Sequence, residues 1–181
     1  MKPNENGTFM YEFTVVTGVW RNAGTTSNVF VKIYGTEGIL ESVNLTANSP
    51  PGRKMFARGN IEKFVFHLEN SLGVVVKIEL WHDNSGKNSS WFVDQAHLVD
   101  INNDQRWDFF HHSWLCLHKG SGSLKATIKS ADPGNETRSF KTLFYSVSSV
   151  DLAEHHLWAS VITRPLRNQF SRVQRASCCL G

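Results

Sequence analysis

Trp81-His82-Asp83-Asn84-Ser85-Gly86-Lys87-Asn88-Ser89-Ser90-Trp91-Phe92 is the stretch on which the reading of this chain turns. An alternating run, Val74 to Leu80, precedes it, and a second, Val93 to Ile101, follows it. Alternation of apolar and polar residues is the period of a half-buried strand. The stretch between is therefore a loop joining two strands. Asp83, Asn84 and Gly86 are turn formers whose oxygens could also face a hard cation. Trp81 and Trp91 combine apolar area with a polar N–H, which suits a partly wet site or a membrane interface.

The same period recurs outward in both directions. Tyr11, Phe13 and Val15 oppose Glu12 and Thr14. Val29, Val31 and Ile33 oppose Phe30, Lys32 and Tyr34. Leu40, Val43 and Leu45 form a weaker strand, and Phe64, Phe66 and Leu68 another. Val74, Val76, Ile78 and Leu80 form the inward set before the opening loop; Trp91, Val93, His97, Val99 and Ile101 form the one after it. Gln105 to Leu117 reads as two short strands broken near His111-His112-Ser113. Short alternating strands separated by turn signals predict an all-β antiparallel sandwich, with Phe13, Val15, Val29, Val31, Phe64, Phe66, Val76, Ile78, Leu80 and Val99 in its core. Trp91 is expected to cap that core, and Trp20, at a strand end, to remain exposed.

The flanks differ in character. Residues 1–9 read as a disordered lead-in, and 10–118 as the sandwich, with an extension to 130 left open by Leu124 to Ile128. Residues 131–181 read as a helix followed by a basic segment. Phe140, Leu143, Phe144, Val147 and Val150 fall near one helical stripe. Trp158 to Gly181 carries Arg164, Arg167, Arg172 and Arg175 and no acid.

Composition narrows the function. The 181 residues hold 40% hydrophobic residues, enough for a core. A formal charge of +3 is mild and does not call for nucleic acid. Three cysteines, Cys116, Cys178 and Cys179, make no disulfide framework and favour a reducing compartment. Sequons at Asn6, Asn44, Asn88 and Asn135 point the other way, but Asn, Ser and Thr are common enough here for coincidence. No apolar run approaches the roughly 20 residues of a spanning helix, and Met1 to Thr8 is too polar for a signal peptide. No GxSxG, phosphate loop, CxxC or HExxH occurs, so an enzyme is the class least expected. The pairs His111-His112 and His155-His156 do not converge, because adjacent side chains diverge on strands and helices alike.

Several spaced motifs carry a resemblance. Thr17 to Trp20 (TGVW), Gly24 to Gly35 (GTTSNVFVKIYG), Leu72 to Gly86 (LGVVVKIELWHDNSG) and Ser89 to Ile101 (SSWFVDQAHLVDI) together resemble the PLAT, or LH2, domain. His155 to Pro165 (HHLWASVITRP) and Phe170 to Leu180 (FSRVQRASCCL) resemble the juxtamembrane segment that follows that domain in polycystin-1-like proteins. The resemblance implies an eight-stranded sandwich of two four-stranded sheets with a helical, basic C-terminal tail. It also implies a place on the cytoplasmic face of a membrane, as one intracellular loop of a multispanning protein. The function it implies is binding of anionic membrane lipids, weak Ca2+ binding, or contact with a protein partner as a scaffold. Nucleic acid is not implied.

By the same resemblance, calcium would lie between two loops, on Gly18, Thr25, Thr26 and Asn28 in the first and Asp83, Asn84 and Gly86 in the second. The first loop holds no carboxylate, and calcium affinity rises with ligand charge, so any such site is expected to be weak. The alternative for Asp83-Asn84-Gly86 is a plain turn closed by an Asx hydrogen bond. Trp20, Arg53, Lys54 and Arg58, with Met55 and Phe56 beside them, are candidate lipid contacts, as are the four tail arginines. For Arg53, Lys54 and Arg58 the alternative is a solvated basic face; for the tail arginines it is pairing with Asp or Glu on the surface of the sandwich. Cys178 and Cys179 are lipidation candidates or the small apolar start of a spanning helix.

Overall fold

Eight antiparallel strands follow from the alternating runs. In the computed structural model they are β1 Phe9–Thr17, β2 Val29–Gly35, β3 Ile39–Asn44, β4 Ile61–Leu68, β5 Val75–His82, β6 Trp91–Asp100, β7 Gln105–Leu115 and β8 Lys125–Lys129. The structure describes residues 1–4, 7–47, 49 and 52–131. The expected helix over Phe140 to Trp158, Arg164, Arg167, Arg172, Arg175, Cys178 and Cys179 lie outside the described residues.

The strands make two four-stranded sheets, ordered β4-β1-β6-β7 and β3-β2-β5-β8. The inner faces meet in one core. β1 contributes Tyr11, Phe13 and Val15; β2 contributes Val29, Val31 and Ile33; Trp91, Leu98 and Phe109 come from β6 and β7. All nine are at 0% exposure. Phe66 stacks on Phe13 with centroids 6.3 Å apart. Trp91 is buried as expected, and its indole N–H donates to Thr17 Oγ1 at 3.1 Å. A buried indole needs such a partner.

Two bulges correct the expected inward sets. Between β2 and β5 the pairing runs Tyr34 with Lys77 and then Gly35 with Val75, so Val76 is the extra residue. Val75 and Ile78 both point inward, and Val74 and Val76, expected inward, are 58% and 48% exposed. Between β1 and β6 the pairing runs Val16 with Gln95 and then Thr17 with Val93, so Asp94 is the extra residue, and between β6 and β7 the register shifts from Val93 opposite Ser113 to Gln95 opposite Phe110. Asp94 thus faces the pair His111-His112. After this bulge Ala96 and Leu98 are buried, and Val99 lies on the outer face, half-buried. Strict alternation assigned Val76 and Val99 to the core because one inserted residue flips every later side chain to the other face. Phe64 packs against the core only partly buried. Nor is β7 two strands: it runs unbroken through His111-His112-Ser113, with His112 at φ 46° absorbing the kink.

Where it is described, the lead-in is hydrogen-bonded to both sheets. Met1 N donates to Ile39 O at 2.6 Å, and Glu41 N donates to Met1 O at 2.8 Å, so Met1 pairs along the outer edge of β3. Asn4 N donates to His67 O on β4. At the other end β8 adds Lys125–Lys129 as the edge strand beside β5.

Candidate functional site

Three loops gather at one end of the sandwich. The β1–β2 loop and the β5–β6 loop are joined through Asp83. Its Oδ1 accepts the backbone N–H of Asn28 and of Ser85, each at 3.0 Å, and its Oδ2 accepts Asn28 Nδ2 at 2.7 Å. Asp83 N in turn donates to Asn28 O at 3.1 Å. The bond to Ser85 is the Asx turn that the sequence allowed. Hydrogen bonds from Ser85 first, and then from Asn28, hold the carboxyl well below the usual carboxylate range, against partial desolvation.

Further contacts fasten the same two loops. Ser27 Oγ donates to Ser85 O at 2.7 Å. Asn88 O accepts Thr26 N at 2.8 Å and the hydroxyls of Thr25 and Thr26 at 3.2 and 3.3 Å. Asn88 Nδ2 donates to Gly24 O at 2.9 Å. Gly86 has φ +76°, and a Cβ there would strike Thr26 Oγ1, so a side chain at this position would push the loops apart. Thr25, Thr26, Asn28, Asp83 and Gly86 are thus brought together. Asn84, at φ 57°, completes the turn and donates its N–H to His82 Nδ1 at 3.2 Å.

Gly18 does not belong to this group. It donates its N–H to Phe92 O, and its missing side chain makes room for the Phe92 ring. Its role is packing beneath Trp20, whose ring meets Phe92 edge-on at 6.4 Å.

His82 carried no signal in the sequence beyond alternation, yet it fixes the second loop to the scaffold. It is 2% exposed, and its Nε2 lies 2.9 Å from Leu115 O. With Nδ1 accepting from Asn84, Nε2 carries the proton in the neutral ring. Burial pushes its pKa down, despite the Leu115 carbonyl and Asp83.

The third loop supplies the charge. An open groove of about 590 Å3 runs between Arg53–Arg58 and the first two loops, lined by Arg21, Thr26, Asn28, Arg53, Lys54, Arg58 and Asn88 among others. Its lining holds four cations and, among the described residues, no carboxylate. Arg53 reaches beneath it to Glu62, 2.5 Å away, whose side chain is 2% exposed. Arg58 Nε donates to Val19 O at 2.6 Å, next to Trp20, which is 57% exposed. Phe56, expected beside Met55 as a lipid contact, is instead 1% exposed. It packs against Trp91 at 5.2 Å and Phe64 at 6.1 Å, and its carbonyl accepts Thr25 N. Its φ of 51° is rare for a ring of that size. Met55 is half-buried against the core.

Few oxygens of the residues named for calcium are left uncommitted. Calcium takes six to eight oxygens, and the tighter sites use several carboxylates. Asp83 is the one carboxylate among the seven named residues, and N–H donors face both of its oxygens. Asn28 Oδ1 already accepts Thr46 Oγ1 at 3.1 Å, and Ser85 O accepts Ser27 Oγ. No cluster of three or more His, Cys, Asp or Glu suited to a metal occurs among the described residues.

Comparison with known proteins agrees with the strand order and the loop motifs. The PLAT/LH2 domain family model matches residues 11–122. Human polycystin-1-like protein 3 is 37% identical over 172 residues, covering 95% of this chain and 10% of that protein. The mouse polycystin family receptor for egg jelly is 34% identical over 175 residues, covering 96% of this chain and 8% of its own length. This chain therefore spans a tenth or less of these relatives. Among solved structures, coral 8R-lipoxygenase superposes with a TM-score of 0.57 at 20% identity, over 80% of this chain and 20% of that one, which is a likeness of fold. The chain belongs to the PLAT/LH2 domain family, and its PLAT domain is that of a polycystin-1-like protein.

Proposed function

We propose that this chain is a non-catalytic, membrane-proximal module that holds anionic lipid headgroups in the groove at the loop end of its sandwich. The observation that carries the reading is the set Arg21, Arg53, Lys54 and Arg58 around one groove with no lining carboxylate among the described residues. Beside it stands Trp20, an exposed indole of the kind that rests at a membrane–water interface. Cations near an anionic bilayer each add roughly 1 kcal/mol of attraction, so four orient a tethered domain without holding a free one tightly. On this reading the domain lies on the cytoplasmic face, within a multispanning polycystin-1-like protein. Arg164, Arg167, Arg172 and Arg175 add a second basic contact, and Cys178 and Cys179 are candidates for lipidation; these six enter by sequence alone.

A scaffold that binds a protein partner is the second reading. The outer face of the β3-β2-β5-β8 sheet favours it: Phe30 stacks on Trp81 at 5.6 Å, Lys125 lies over Trp81, and Lys77 over Tyr34. Rigid aromatics interleaved with cations suit an acidic protein surface.

Co-sedimentation with phosphatidylserine and phosphatidylcholine vesicles at low and high salt separates the two. The headgroup reading requires binding to phosphatidylserine only, lost as salt rises. Equal sedimentation with both vesicles, or with neither, would leave the scaffold reading in place.

A further inference from the structure

We infer that the loop end of this domain is closed by a hydrogen-bonded clasp centred on Asp83, standing where its fold would place a calcium ion, and that headgroup binding here needs no calcium. The second half rests on the proposed headgroup function; the first half does not.

A calcium ion between two loops does two things. It draws their oxygens together, and it offers positive charge to an anion. Both are already supplied here. The loops are drawn together by two Asn28 N–H groups, one backbone and one side chain, aimed at the Asp83 carboxylate, while the Ser85 N–H closes the turn within the second loop. A backbone N–H at 3.0 Å puts partial positive charge where a cation would have to bind. Displacing it would leave that N–H without an acceptor and pull Asn28 away from the start of β2. The neutral oxygens that might complete a coordination shell are committed as well. Asn88 O accepts three donors, and Thr26 Oγ1 both donates to Asn88 O and accepts Asn88 N at 3.0 Å. Thr25 Oγ1 accepts Ser27 N at 3.1 Å. Binding calcium would break most of this network to gain a single carboxylate.

The positive charge comes from the chain itself. Arg21, Arg53, Lys54 and Arg58 line the same groove as Thr26, Asn28 and Asn88. The clasp sets the width of that groove, and the fixed cations take the place of a metal bridge to an anionic headgroup. The Ser85 and Asn28 donors hold the Asp83 carboxyl well below the usual carboxylate range, so the clasp keeps its charge at neutral pH.

The test uses the full chain, melted in EGTA and in millimolar calcium chloride. A ligand that binds only the folded state must raise the melting temperature. The clasp requires superimposable melts in the two buffers. It also requires Asp83→Asn to melt several degrees lower in EGTA, because the variant loses charge-assisted acceptors. A calcium-induced rise that Asp83→Asn abolishes, with its melt in EGTA unmoved, would overturn the clasp. Should Asp83→Asn fail to fold, Asn28→Ala keeps both backbone bonds and loses one side-chain bond. Its melt should fall by less and stay blind to calcium, and a calcium response in it would count against the clasp equally. Phosphatidylserine vesicles complete the test. Equal co-sedimentation in EGTA and calcium supports the second half, and a gain of about tenfold or more with calcium overturns it. Absence of binding in both buffers overturns the headgroup reading and leaves the melt result standing.

Discussion

The groove has two walls built on opposite physics. One is the clasp of Asn28, Asp83 and Ser85, exposed polar groups held by hydrogen bonds between two loops. The other, Arg53 to Arg58, rests on a single buried ring, Phe56, wedged against Trp91 and Phe64. The polar wall is local: its strength depends on a charge and a few donors, and one exchange weakens it without touching the core. The apolar wall is continuous with the sandwich interior. Phe56 holds a positive φ that costs of order 1–3 kcal/mol, a strain tolerated only where packing over-determines it. Charge that must be presented to a ligand is thus mounted on the stiffer of the two supports.

The largest expected effect tests that claim. Phe56→Ala should lower stability by about 3–5 kcal/mol, as for other buried aromatics, read as a shift in urea midpoint with unchanged m-value. Phe66→Ala, in the same core but away from the groove, should cost a similar amount. The two should then part company: below its melting temperature the Phe66 variant keeps vesicle binding and the Phe56 variant loses it. If Phe56→Ala costs under about 1 kcal/mol, the second wall is not anchored as described.

The difference between the walls is also a difference in legibility. The turn of the clasp was readable as spacing: His82-Asp83-Asn84-Ser85-Gly86 between two alternating runs announces an Asx turn, whereas the β1–β2 loop was set beside it by the family resemblance alone, as the other half of a calcium site. The strands were readable for the same reason, since a period of two is a local property. The misreadings sit where non-local structure interrupts that period. Nothing local marks Val76 or Asp94 as bulged, because a bulge is defined by its partner strand. Phe56, in a run of basic residues, looked like a surface ring, and only Trp91, 35 positions later, makes it a core residue. Gly18 looked like a loop glycine, and the Phe92 ring shows its purpose. His82 was legible only as an inward position, since its partner, Leu115 O, comes from β7.

That histidine gives the next effect in size. Burial lowers the pKa of His82, and of His97 and His111. The sign follows from linkage. With the folded pKa depressed, the unfolded chain binds protons more readily below its ordinary value near 6.5, so stability present above that pH is lost as pH falls. Each such group contributes up to about 1.4 kcal/mol per pH unit once the unfolded form is protonated and the folded form is not. Urea midpoints should therefore drop between pH 7.5 and pH 5.5. His82→Gln should be less stable than wild type at pH 7.5 and show a shallower drop. An unchanged slope would place the pH sensitivity in His97 and His111, on β6 and β7.

The smallest effects separate the cations of the apolar wall from one another. Arg53 and Lys54 are neighbours in sequence and both line the groove, yet they stand on different footings. Arg53 pairs with Glu62, whose carboxylate is almost wholly buried and has Asn60 Nδ2 as a second donor at 3.3 Å. Removing the guanidinium leaves a buried charge short of a partner, which for a fully buried pair costs about 3–5 kcal/mol. The Arg53 side chain is 55% exposed, so solvent screens much of that, and Arg53→Gln should cost roughly 1–2 kcal/mol. Lys54 is exposed, and Lys54→Gln should leave the urea midpoint within about 0.5 kcal/mol of wild type. Toward an anionic bilayer the two should behave alike. Each loses about 1 kcal/mol of attraction, roughly a fivefold weaker association with phosphatidylserine vesicles at low salt, and the difference from wild type should vanish at high salt. Arg53 then both braces and attracts, while Lys54 only attracts. Should Lys54→Gln bind vesicles as tightly as wild type at low salt, the groove would not be where the headgroup sits, and Arg53 would be left with its structural bond to Glu62 alone.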